Sequence, residues 1–123
     1  MLHAELSNKI IKSFYKVYNH LGYGFLEKVY ENALCLELQK SGLKFEKQKQ
    51  IKVFYDGYQI GEYFADILVE GKIIIELKAT ESISKEHECQ LINYLKATKI
   101  ELGLLFNFGK EPQFRRKIFT NNR

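Results

Sequence analysis

The chain has 123 residues, 46% apolar and 28% charged, with a net charge of +4. That length suits one domain over 1–123 that buries roughly 65% of its unfolded surface in a single core, and the composition excludes a disordered chain. No apolar run approaches a membrane span and the N-terminus lacks a signal-peptide pattern, so the expected setting is cytoplasmic, away from membranes.

Two helices are expected first. Leu6, Ile10, Phe14, Val17, Tyr18 and Leu21 recur at helical spacing, with Gly22 where a C-terminal cap belongs. A second helix runs from about Phe25 to Lys40, with Leu26, Val29, Tyr30, Ala33, Leu34 and Leu38 turned inward and Gly42 beyond its end. The pattern then changes period. Ile51, Val53 and Tyr55 alternate with polar residues, Asp56-Gly57 is a hairpin signal, and the return strand is Tyr58 to Val69. A turn at Glu70-Gly71 feeds a strand from Lys72 to Ala79. Ser84 can cap a third helix from Lys85 to about Thr98, with Glu86 and Glu88 in the first turn where the macrodipole favours carboxylates. Leu102 to Phe108 reads as a core strand and Phe114 to Phe119 as a last edge strand. The helix between Ala79 and Leu102 is a right-handed crossover, so the strands it joins are expected to be parallel. The order α-α-β-β-β-α-β-(β) predicts an α/β (α+β) chain, a mixed sheet with helices packed on it.

Cys35 and Cys89 lie far apart, with neither a CxxC pair nor a histidine at metal spacing. Reduced, buried thiols are expected rather than a disulfide framework. The positive net charge leans mildly towards a polyanionic partner.

The stretch Lys72 to Ala79, "KIIIELKA", holds the chemistry. Three isoleucines mark a strand buried on both faces, yet it continues into Glu76 and Lys78, which alternation places on one face. A buried charge is costly unless paired, hydrogen-bonded or bound to a metal. Asp66 lies in the preceding apolar strand, "YFADILV". A two-residue turn at Glu70-Gly71 would put Asp66 and Glu76 on opposite faces. A three-residue loop with Gly71 as a left-handed bulge pairs Leu68 with Lys72 and sets Asp66 diagonally across from Glu76, roughly 7–8 Å away; this loop is the one expected.

Two carboxylates so placed, with no His or Cys beside them, suit a hard ion such as Mg²⁺ or Mn²⁺, and the Leu77 carbonyl could add a backbone oxygen. Lys78 would then position water and stabilise phosphorane charge rather than act as a base. Blander readings stand beside this one. Glu76 and Lys78 form a common solvated pair, and Asp66 could simply pair with Lys78. Glu27 shares the apolar stripe of the second helix but also begins it, where an acid faces the dipole. Gln90 and Tyr94 are one turn apart on the third helix, a spacing that also suits boundary packing.

Asp66, Glu76-Leu77-Lys78 and Gln90-x-x-x-Tyr94 together resemble the PD-(D/E)XK nuclease superfamily, in particular its branch with a Q-x-x-x-Y helix. "GFLEKVY", with Gly24, Glu27 and Tyr30, resembles the signature of the small GxxExxY proteins within it. The stretches "QLINYLKAT" and "GLLFNFG" fit the same pattern, so the resemblance covers nearly the whole chain. Ala65 stands where the superfamily's name has proline. The resemblance implies a restriction-endonuclease-like αβββαβ core, a mixed central sheet flanked by helices with an extra N-terminal helix, and metal-dependent cleavage of nucleic-acid phosphodiesters. It places Asp66 and Glu76 on the metal and makes Lys78 the catalytic lysine. It puts Glu27 at the rim as an additional carboxylate, and Gln90 and Tyr94 along the site, orienting substrate or Lys78.

Lys47, Lys49 and Lys52 on the first strand and Arg115 and Arg116 near the C-terminus are the candidates for nucleic-acid contacts, although a lysine-rich edge strand also guards a sheet against stray pairing. The expected partner is nucleic acid, DNA before RNA, with no sequence-reading module in view. Open sheet edges are compatible with a homodimer or larger complex. The competing expectations are a nucleic-acid-binding module that has the fold without cutting, and a protein-interaction subunit.

Overall fold

In the computed structural model, which describes residues 2–120, the chain runs α1 (Ala4–Leu21), α2 (Glu27–Lys40), β1 (Phe45–Tyr55), β2 (Tyr58–Val69), β3 (Ile73–Lys78), α3 (Lys85–Lys96), β4 (Leu102–Phe108) and β5 (Pro112–Ile118). The strands form one sheet in the order β1-β2-β3-β4-β5. Only β3 and β4 are parallel, joined by the α3 crossover, and the other neighbours are antiparallel. This is the restriction-endonuclease-like α+β topology: a mixed sheet flanked by helices, with α1 as the extra N-terminal helix. Among the described residues no helix is long and apolar enough to cross a membrane.

Alternation along the strands divides the core in two. Ile73, Ile75 and Leu77 of β3, with Leu102, Leu104, Phe106 and Phe108 of β4, pack against Ile10, Phe14 and Val17 of α1 and Tyr30, Leu34 and Leu38 of α2. On the other face, Ile74 and Leu105 meet Leu91, Tyr94 and Leu95 of α3. There α3 sits directly on β4: a Cβ at Gly103 would lie 2.6 Å from Leu91 Cδ1. Ser84 caps α3 as expected. Its hydroxyl accepts from the His87 N–H, and His87 Nδ1 accepts from the Ser84 N–H, both at 3.2 Å.

Three details depart from the sequence expectations. The second helix starts at Glu27, not Phe25, because Gly24 at φ 110° and the extended Leu26 keep the preceding loop out of helical geometry. Leu26 is therefore 79% exposed, and Val29, one position off the Tyr30–Leu34–Leu38 stripe, is exposed as well. The last strand begins at Pro112 rather than Phe114, and a proline is tolerated at the start of an edge strand.

The third departure sets the site. The β2–β3 connection is three residues long, but it pairs Val69 with Ile73, not Leu68 with Lys72. Glu70 and Gly71 are both left-handed, at φ 54° and 65°, and the Lys72 N–H closes the turn on the Val69 carbonyl at 2.9 Å. A non-glycine residue at Glu70 is held in that conformation by Lys44. The Glu70 N–H donates to the Lys44 carbonyl at 2.8 Å, and the Lys44 N–H donates to Glu70 Oε2 at 2.6 Å.

Candidate active site

The β2–β3 ladder runs Val69↔Ile73, Leu68↔Ile74, Ile67↔Ile75 and then stops. Continuing that register sets Asp66 directly opposite Glu76, closer than the diagonal placement expected from sequence. Side chains replace the missing ladder. The Asp66 N–H donates to Glu76 Oε2, and the Leu77 N–H donates to Asp66 Oδ2, each at 2.7 Å. Each carboxylate thus satisfies a backbone donor of the other strand where the two strands part.

A distortion on the other side of β2 helps to aim Asp66. The β1–β2 ladder pairs Lys47 with Ile67 and Lys49 with Ala65 but skips Gln48, which is left-handed at φ 52°. Across this break the facing of β2 switches: Ala65 and Leu68 both join the α3-side core, whereas Ile67 and Val69 join the other. Gln48 Nε2 donates to Glu31 Oε1 at 3.0 Å and reaches Asp66 Oδ1 at 3.5 Å.

The electrostatics follow from burial and like charge. Glu76 is 5% exposed. Its burial, then the Asp66 carboxylate, push its pKa up to about 8, against the opposing pull of the Asp66 N–H and Lys78. Burial also raises Asp66, with Glu31 and Glu27 adding to the effect and the Leu77 N–H and Gln48 opposing it. Glu76 Oε1 accepts no hydrogen bond from the described residues. A buried acceptor without a donor, beside a second carboxylate and no sulfur or imidazole, fits a hard cation. The described residues contain no cluster of three or more His, Cys, Asp or Glu side chains arranged to hold a metal ion.

Around this pair stand the other expected residues. Lys78 is half-buried at the end of β3, and its ammonium makes no ion pair or hydrogen bond with the described residues. Leu77 is buried between the two charges. Glu27, exposed at the first residue of α2, acts on both carboxylates through its charge. Tyr30 anchors the loop before it: the hydroxyl donates to the Gly22 carbonyl at 2.6 Å and accepts from the Phe25 N–H at 3.2 Å, while its ring stacks on Phe108 at 4.0 Å. From α3, Gln90 Nε2 donates to the Tyr94 hydroxyl at 2.7 Å. Burial, then Glu76, push the Tyr94 pKa up to about 12, which places this pair within the field of the carboxylates.

The basic residues are not brought together. β1 and β5 are opposite edges of the sheet. Lys47 donates to Asn32 Oδ1 at 2.9 Å and lies 3.7 Å from Glu31, Lys49 lies 3.6 Å from Glu46, and Lys52 is exposed. On β5, Arg115 lies 4.0 Å from Glu88 of α3, whereas Arg116 reaches Ser7 of α1 at 3.0 Å on the other face. A cavity of about 810 Å³ between α1 and α2, lined by Lys12, Tyr15, Leu21 and Leu36 among others, contains none of the candidate residues.

Three residues near the site escaped the sequence reading. Glu31, buried with Lys28 and Lys47 against it, follows Glu27 by one turn, a spacing that could have flagged it. Asn107 was visible as the single polar residue of "LGLLFNF". It pairs with Lys78 across the parallel ladder and fixes the loop after β3, accepting from the Thr80 N–H at 2.9 Å and donating to the Thr80 carbonyl at 3.0 Å. Gln48 carried no such signal, because a left-handed glutamine inside a strand is not readable from composition. Both thiols are free, as expected, and Cys35 is buried, but Cys89, also expected to be buried, is exposed on α3.

A mixed α+β sheet with an acidic pair and a lysine where its strands part has the architecture of a phosphodiester-cleaving fold. Comparison with known families agrees: a profile of the PD-(D/E)XK nuclease superfamily matches residues 4–118, and the chain belongs to that superfamily. Among solved structures it is similar in fold to the crystal structure of SSO0001, with a TM-score of 0.61 and 22% sequence identity. The match covers 77% of this chain and 52% of that one, so the chain spans about half the length of that protein. A search of curated proteins gives no match.

Proposed function

We propose that the chain is a metal-dependent nuclease that hydrolyses nucleic-acid phosphodiester bonds, and that it belongs with the small GxxExxY proteins through Gly24, Glu27 and Tyr30. The observation that carries this is the reciprocal hydrogen bonding of Asp66 and Glu76, with the unpaired ammonium of Lys78 at the same strand end. Asp66 and Glu76, with the Leu77 carbonyl, would hold Mg²⁺ or Mn²⁺. Such an ion polarises a phosphoryl oxygen and makes water a better nucleophile. The Asp66 N–H and the Leu77 N–H keep both carboxylates oriented before substrate arrives. Glu76, whose burial raises its pKa to about 8, would hold a cation in its deprotonated form. Lys78 positions the attacking water and offsets charge on the phosphorane. Gln90 and Tyr94 orient Lys78 or the substrate, and Glu27 adds negative charge at the rim.

The test is cleavage of single-stranded, duplex and flapped DNA, then RNA, with Mg²⁺ or Mn²⁺ present. The expected result is cleavage that Glu76→Ala and Lys78→Ala abolish. Salt-sensitive nucleic-acid binding indifferent to Glu76→Ala, with no cleavage of any substrate, would replace this reading with a non-cutting binding module.

A further inference from the structure

Beyond Ala65 the β1–β2 hairpin leaves the rest of the sheet. β3 pairs with β2 only from Ile67 to Val69, while β1 and β2 stay paired out to Tyr55↔Tyr58. At roughly 3.3 Å per residue, the free ribbon extends on the order of 20 Å. A lone two-stranded ribbon is marginal in water, yet this one exposes Tyr55 (72%) and Tyr58 (74%), with Phe54 and Ile60 exposed beside them. Large exposed apolar side chains gathered on a marginal ribbon point to an interaction site.

The register sorts the ribbon into faces. Ile51 lies opposite Tyr63, alternation along β1 brings Val53 and Tyr55 to the same face, and Tyr55 lies opposite Tyr58. Ile51 belongs to the α3-side core with Tyr94, and the Tyr63 ring sits 5.5 Å from the Tyr94 ring. From base to tip, one face therefore carries Tyr94, Tyr63 and the Tyr55–Tyr58 pair, starting at the candidate active site. Between the two sets of rings is Gly61, where an added Cβ would meet only Val53 Cβ at 3.8 Å. Internal packing does not require a glycine there. Glycine inside a strand weakens it and often marks a bulge or the close approach of another group. Here a bulge adjoins it. The charged pair Lys52↔Glu62 lies on the opposite face.

We infer that this tyrosine face is a stacking platform for unpaired bases of the nucleic acid whose phosphodiester reaches Asp66 and Glu76; the inference rests on the proposed nuclease reading. A base can stack on an exposed tyrosine ring along a strand only when it is outside a duplex stack, and every base offers a π-face, so the platform selects strand state and not sequence. Continuity with the site, through Tyr63 on Tyr94, is what singles out this occupant. A second copy fits less well, because Lys47, Lys49 and Lys52 line the free edge of β1 and would oppose like charges in a strand-to-strand pairing.

The experiment is fluorescence anisotropy of a labelled single-stranded oligonucleotide and of its blunt duplex, in EDTA, with the full chain. Wild type is expected to bind the single strand more tightly. The Tyr55→Ala/Tyr58→Ala variant should lose roughly ten-fold or more of that affinity, while Tyr55→Phe/Tyr58→Phe, which keeps the rings, retains it. Both positions are exposed, and an unchanged thermal midpoint verifies that the variants fold. The inference is overturned if wild type does not prefer the single strand, or if the alanine variant binds it as wild type does. It is equally overturned if sedimentation shows a dimer that the alanine variant abolishes. Tyrosine-dependent single-strand binding by a chain that never cleaves would sink the nuclease reading and leave the platform standing; Glu76-dependent cleavage with unaltered binding by the alanine variant would do the reverse.

Discussion

Asp66 donates its backbone N–H to the carboxylate of Glu76 across the point where β2 and β3 part, while its own carboxylate accepts the N–H of Leu77. The two acids are therefore held close by neutral donors although their charges repel. Such an arrangement is stable when one acid keeps a proton or when a cation lies between them.

The first consequence is a pH dependence in metal-free buffer. Glu76 has a folded pKa of about 8 against an ordinary 4.5. A raised folded pKa means that the folded state binds more protons between those values, so stability is full below about pH 4.5 and declines as pH rises through 8. Asp66 is shifted in the same direction. Denaturant unfolding from pH 4 to 9 should show a loss on the order of a few kcal/mol. Glu76→Gln, which retains an acceptor for the Asp66 N–H, should flatten most of it, and an unchanged slope would count against the buried acid.

Divalent metal should reverse that loss. At a hundred-fold excess over its dissociation constant, Mn²⁺ would stabilise the fold by about 2.7 kcal/mol. A thermal-shift titration should raise the midpoint of wild type by several degrees and leave Asp66→Ala unmoved. Equal shifts in both would place the binding elsewhere.

Tyr30 offers a test of the loop that carries Glu27. Removing its hydroxyl in Tyr30→Phe leaves the part-buried Gly22 carbonyl without that donor, for a cost of about 0.5–1.5 kcal/mol. Calorimetry should record the drop. At temperatures where the variant is folded, cleavage should fall less than in Glu76→Ala, since Tyr30 positions a segment and does not touch the acids.

Gly103 tests the seating of α3. An alanine there would bring its Cβ within 2.6 Å of Leu91 Cδ1. Gly103→Ala should destabilise the fold by about 1–3 kcal/mol through overpacking. By lifting the helix that carries Gln90 and Tyr94, it should also slow cleavage beyond what the fraction unfolded explains.

Much of this molecule could be read from periodicity. The helices and the succession of elements follow from the 3.6- and 2-residue patterns, and the parallel β3–β4 pair follows from the helical crossover between them. The acidic pair was legible because Glu76 interrupts an otherwise apolar strand. Its register was not, because Glu70, a non-glycine residue, adopts a left-handed turn that depends on Lys44, distant in sequence. Leu26 misled for a related reason: it has the spacing of a core residue but lies before the helix begins. The basic residues were legible as two groups, on β1 and on β5, but composition does not say that these groups lie at opposite edges of one sheet.

The two cysteines give the chain a built-in reporter. Burial pushes the Cys35 thiol up to about 11, which leaves almost no thiolate at neutral pH, whereas Cys89 is exposed on α3 immediately before Gln90. A maleimide dye should therefore modify a single position without mutagenesis, next to the glutamine–tyrosine pair. Fluorescence from that dye would then register oligonucleotide arrival in the unaltered polypeptide.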